Sequence, residues 1–127
     1  MSPRCESEVV ALVTGRVARR RAVLDWAAHY VGRDGTVHVV CDGTLAPALV
    51  SSIMVGMFVD AEQVEHADFA QTAMLLAPHG CNWTWQHLPF GAIGHAVAFA
   101  RRKSLLAVVP ARSQFLRPPS VRIVCPQ

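Results

Sequence analysis

Lysine is nearly missing from this 127-residue chain: of its 12 lysines and arginines only Lys103 is a lysine. Acidic residues stop at Asp68, leaving none in the remaining 59 positions. The net charge of +3 is nevertheless modest. Arg19-Arg20-Arg21 has no interleaved aromatic residue to stack on bases, so we read it as the solvated face of a helix and expect no nucleic-acid partner. Standard phosphate loops are also absent. Gly91-Ala92-Ile93-Gly94 opens a helix-like segment but fits neither Gly-x-Gly-x-x-Gly nor a Gly-Lys-Ser/Thr ending. Its glycines are read structurally, Gly91 as a turn and Gly94 as a point of close approach between helix and sheet.

No Cys-x-x-Cys pair occurs, because Cys5, Cys41, Cys81 and Cys125 lie dozens of residues apart. No secretory apolar segment precedes the first strand-like run, and the expectation is reduced thiols in a cytoplasmic protein. His79 and Cys81 form one nearby pair without a second at ligand spacing, so no metal and no cofactor are expected. The apolar stretch Gly43 to Val59 is interrupted by Pro47, Ser51, Ser52 and Gly56 and falls short of the roughly 20 residues of a membrane span. No membrane association is expected.

What is present is core material. With 52% hydrophobic and 17% charged residues, the chain has the composition of one globular domain over 1–127. Val9 to Val13 is a continuous apolar run, the pattern of a strand covered on both faces. Arg16 to Val31 follows with Val17, Leu24, Ala27, Ala28 and Val31 at helical spacing and Gly32 placed to stop it. Thr36 to Cys41 is β-branched and ends at Asp42-Gly43. A helix opening at Asp60 has Phe69, Ala73, Leu76 and Ala77 as candidate core residues and closes at Pro78-His79-Gly80. Asn82 to Leu88 alternates, with Trp83, Trp85 and His87 on one side. Ala92 to Lys103 forms a helix with Ile93, Ala96, Val97 and Ala100 as its stripe and three cations at its negative end. Leu105 to Val109 and Val121 to Cys125 are two further strands, and the eleven residues between them, 110–120, leave little room for a helix.

This alternation predicts an α/β fold: a Rossmann-like, open five-stranded parallel sheet with helices on both faces and the last helix shortened or missing. Ligands in such sheets bind beyond the strand C-termini, at the switch in strand order. Thr14, Gly15, Cys41, Asp42, Phe90, Ala111, Arg112 and Ser113 are the residues that this rule singles out. Cys41 would be a nucleophile only if a neighbour lowered its pKa; a small buried hydrophobe is the plainer reading.

The strand ending Val13-Thr14-Gly15, the segment Arg20-Arg21-Ala22-Val23-Leu24-Asp25-Trp26-Ala27, the strand Val37-His38-Val39-Val40 and the Pro89 to Ala100 turn and helix together resemble the universal stress protein family. The resemblance spans nearly the whole chain and implies an adenine nucleotide alpha hydrolase-like fold. It implies an Asp ending the first strand and a Gly-x-x-Gly-x9-Gly-Ser/Thr loop after the fourth. Thr14 stands at the Asp position, and Pro110 to Arg117 contains no glycine. The chain is therefore identified as a degenerate member without the nucleotide loop, expected not to bind ATP in the family's manner. The resemblance further implies a stress-response role and a homodimer formed through the last strand, with Val121, Ile123 and Val124 at the interface. The resulting expectation is a non-enzymatic, dimeric binding or regulatory module that acts through a protein partner the sequence does not name. The alternative is a nucleotide- or small-anion-binding protein using Thr14, Gly15, Val40, Arg112 and Ser113 at the switch-point cleft. A third reading is a small enzyme using Cys41.

Overall fold

A computed structural model describes residues 7–14, 17–43, 61–88, 90–110 and 121–126. Five parallel strands, β1 (Glu8–Val13), β2 (Thr36–Asp42), β3 (Asn82–Leu88), β4 (Leu106–Val108) and β5 (Ile123–Val124), form one sheet in the order β3-β2-β1-β4-β5. The unbroken apolar run of β1 takes the centre, where both faces are covered, and Val9 to Val13 are all buried. Helices α1 (Val17–Val31) and α2 (Ala61–Leu76) cover one face, followed by a 3-10 turn at Ala77–His79; α3 (Ala92–Lys103) covers the other. This division follows from crossover handedness. The chain steps outward from β1 to β2 to β3, then returns across the sheet to β4, and a constant right hand requires the helix to change faces when the direction reverses. The expected open parallel α/β sheet is therefore the observed one. No helix among the described residues is long and apolar enough to cross a membrane.

Details differ from the periodicity. In α1 the expected stripe holds for Leu24, Ala27, Ala28 and Val31. In α2 the buried positions are Thr72 and Leu76, whereas Phe69 is 45% exposed and Ala77 lies exposed in the 3-10 turn. The inward stripe of α2 includes the polar residues Asp68, Gln71 and Thr72 beside the expected Leu76, so apolar spacing alone misplaces Phe69 and misses the polar positions. Phe69 instead packs beside Trp83 and Trp85, with ring centroids 5.3 and 5.6 Å away. On α3 the fully buried positions are Ala92, Ala96 and Ala100, with Ile93 and Val97 half-buried. These alanines let the helix lie close to the sheet. Gly94 does not have that role, because a Cβ there would meet open space. Strands β4 and β5 are shorter than the expected 105–109 and 121–125. The segment 44–60 and the connection 111–120, where the shortened last helix was expected, lie outside the described residues.

On the α3 face, His38 of β2 spans two strand boundaries: its Nε2 lies 2.8 Å from Glu8 Oε1 in β1, and its Nδ1 3.0 Å from Thr84 Oγ1 in β3. The ring rests beside Phe99, 5.1 Å between centroids.

The turn from α1 into β2 depends on Gly35. A Cβ there would stand 2.3 Å from Val31 Cβ and 2.6 Å from the Ser7 carbonyl oxygen. That carbonyl accepts the Thr36 N–H at 2.8 Å, and the Gly35 carbonyl accepts the Asn82 N–H at 3.0 Å. Neither neighbour can retreat without opening the first rung of the sheet. Gly35→Ala should lower stability by about 1–3 kcal/mol, the usual cost of overpacking, read in urea as a lower midpoint at unchanged slope.

Candidate functional site

The strand order reverses between β1 and β4, so the crevice that open α/β sheets offer to ligands lies beyond Thr14 and the end of β4. Of the residues expected there, Gly15, Arg112 and Ser113 lie outside the described residues. Val40 is 4% exposed, with its side chain packed in the core beneath α3. Thr14 ends β1 as expected, but its carbonyl is already engaged.

The engaging group is Arg20. Read as part of a solvated arginine face, it is instead 2% exposed, while Arg21 is exposed and Arg19 half-buried. The reason is local supply of acceptors. Its Nε and Nη2 donate to the Thr14 carbonyl at 3.1 and 3.0 Å, Nη2 also donates to Asp68 Oδ1 at 2.9 Å, and Nη1 donates to Gln71 Oε1. A buried guanidinium is tolerable only when paired and hydrogen-bonded, and here it joins the C-terminal end of β1 to one face of α2.

Asp68 directs its other oxygen to the sheet. Cys41 of β2 and His87 of β3 are register partners, so their side chains leave the same face side by side at the C-terminal ends of the strands. The Cys41 thiol points to Asp68 Oδ2 at 3.6 Å, and His87 Nε2 stands 3.7 Å from the same oxygen. That separation is too long for a hydrogen bond, and Nε2 is a buried nitrogen without a hydrogen-bond partner among the described residues. On the other side of the ring, Nδ1 faces Glu65 Oε1 at 3.9 Å, and Trp85 stacks on the imidazole at 6.1 Å. Gly43 makes room for the ring, since a Cβ there would come within 2.4 Å of His87 Cε1. Beside this corner, an open groove of about 710 Å³ is lined by Glu65, His66, Phe69, Ala70 and Trp85.

Burial, with Asp68 adding to it against a smaller opposing effect of Arg20, pushes the Cys41 thiol from its ordinary 9.0 up to about 12. A thiol that holds its proton at neutral pH is not an activated nucleophile, which weighs against a Cys41 enzyme. Burial also pushes Cys81 up. His79, the expected neighbour of Cys81, pairs with Asp25 Oδ1 at 3.2 Å and meets His29 edge-on. Among the described residues, Cys41, Asp68 and His87 are the group of three metal-capable side chains that converge.

No family model, curated protein or solved structure matches this chain. Fold alone does not assign function, so the local geometry carries the argument. Sequence reasoning singled out Cys41 and placed His87 on the correct side of its strand, but it missed Arg20, Glu65 and Asp68. The one available signal was that both Cys41 and His87 fall at the ends of strands that neighbour each other in a parallel sheet; nothing in the spacing announces Asp68 from a separate helix.

Two measurements test this geometry. Arg20→Ala leaves Asp68 without its cation in a site that is 16% exposed and should cost about 3–5 kcal/mol in equilibrium unfolding. The raised Cys41 pKa favours the fold while the thiol keeps its proton. That contribution is whole below 9.0 and lost as pH rises toward about 12. In chelator-containing buffer, stability of the wild type should therefore fall across that alkaline range more steeply than that of Cys41→Ala.

Proposed function

We propose that this chain is a non-enzymatic, dimeric binding or regulatory module of the universal-stress-protein type, acting in the cytoplasm through a protein partner. The observation that carries the reading is the edge of the sheet at β5. The strand order ends there, and Val121, Ile123 and Val124 are half-buried, each packed on one side against the core. An apolar edge strand presents unpaired backbone groups and is an aggregation liability unless another chain or segment covers it. Pairing with a second copy covers it in a closed, symmetric way. Thr14, together with the glycine-free segment 110–117, supports the absence of ATP binding of the family's kind.

Light scattering on the purified protein should return twice the monomer mass, and Ile123→Lys should shift it to monomer while circular dichroism keeps the native signal; a wild-type monomer at high concentration would reject the dimer. Isothermal titration with millimolar ATP or AMP should give no heat. Measurable heat would favour anion binding at Thr14, Arg112 and Ser113 instead.

A further inference from the structure

Cys41 Sγ, Asp68 Oδ2 and His87 Nε2 all lie within 4.8 Å of one another. The sulfur and the imidazole nitrogen stand 3.6 and 3.7 Å from the shared carboxylate oxygen. In a zinc tetrahedron with metal–sulfur bonds of about 2.3 Å and metal–nitrogen or metal–oxygen bonds of about 2.0 Å, neighbouring donors stand about 3.3–3.5 Å apart. Two of the three separations are close to that spacing and the third pair stands within 4.8 Å, so a small ion would need only to draw the donors together.

Three further observations point the same way. His87 Nε2 is a buried nitrogen with no hydrogen-bond partner among the described residues, a costly state that an ion relieves. Glu65 lies 3.9 Å from the opposite ring nitrogen, beyond hydrogen-bond distance but on the side from which an outer carboxylate closing onto Nδ1 would fix the tautomer of a metal-bound histidine and present its second nitrogen. Arg20 holds Asp68 Oδ1 and so leaves Oδ2 aimed at the other two donors. Charge also balances. A divalent ion together with the Arg20 guanidinium is matched in formal charge by the Cys41 thiolate and the Asp68 and Glu65 carboxylates. Sulfur and imidazole donors select a zinc-class ion over magnesium or calcium, which take all-oxygen shells.

We propose that Cys41, Asp68 and His87 form a binding site for a zinc-class divalent transition metal, with Glu65 and Arg20 positioning two of the ligands. On binding, the Cys41 proton leaves to solvent and the sulfur takes the ion in its place. Three protein donors leave one position of the tetrahedron open.

The test uses the full chain, kept reduced, stripped with chelator and titrated with cobalt(II). One cobalt per chain should bind, with a thiolate-to-cobalt charge-transfer band and the visible bands of a tetrahedral site, reversed by added zinc and not elicited by magnesium. Cys41→Ser should abolish the charge-transfer band, whereas Cys81→Ser and Cys125→Ser should leave it intact. Glu65→Gln should weaken cobalt affinity about 10- to 100-fold. Folded wild type that shows no thiolate band overturns the proposal, as does a band that survives in Cys41→Ser. Where Cys41→Ser does not fold, His87→Gln decides: an unchanged spectrum in that folded variant rejects the site.

Discussion

The buried guanidinium of Arg20 is the constraint on which this end of the molecule depends. Its donors are shared among a main-chain carbonyl after β1 and two side chains of α2, so the central strand, α1 and α2 are held by one group. Such an ion pair adds little net stability over a well-packed apolar substitute, because desolvation offsets most of the attraction. What it determines is direction. Asp68 can meet Arg20 with Oδ1 only if α2 presents its polar stripe to the sheet, and that rotation turns Phe69 outward and Oδ2 toward Cys41 and His87. An apolar α2 stripe would have covered the sheet as well, but it would have brought no carboxylate to the ends of β2 and β3.

The position of the cluster also matters. It lies at the carboxyl ends of the strands, the side on which open α/β sheets bind ligands, but one strand away from the reversal between β1 and β4. At the reversal itself, the Thr14 carbonyl is consumed by Arg20. The same residue therefore engages the end of the central strand and organises a different corner. The proposed dimer edge at β5 lies across the sheet from this corner, at the opposite edge from β3, so pairing there would leave the corner free.

The sheet was legible because its signals are local. A continuous apolar run in β1, β-branched residues in β2 and strict alternation in β3 each report burial on two faces or one, and alternation with helices then requires parallel strands. The alanines of α3 were legible for the same reason. Arg20 was not, since three adjacent arginines on an amphipathic helix look alike until the acceptors they meet are known. Asp68 and Gln71 were not, because a polar residue on a buried stripe reads as a solvent position when periodicity is judged by hydrophobicity alone. Cys41 and His87 were each placed on their strands correctly, yet their meeting depends on the pairing of β2 with β3, which strand order decides and spacing does not.

The tie that His38 makes to Glu8 and Thr84 has a consequence for how the sheet chooses its alignment. β1 is apolar on both faces, so its own side chains do not fix how β2 aligns against it, but a slide of β2 by one residue would exchange its buried Val37, Val39 and Cys41 for Thr36, His38 and Asp42. Such a slide would carry the imidazole to the layer beneath α1 and α2, away from the carboxylate and the hydroxyl that now face it. The pair is half-buried, with Glu8 still open to water, and contributes little to stability by itself. Its effect adds to the one-sided burial of β2 and β3 in raising the energy of a sheet in which these strands slip by one residue.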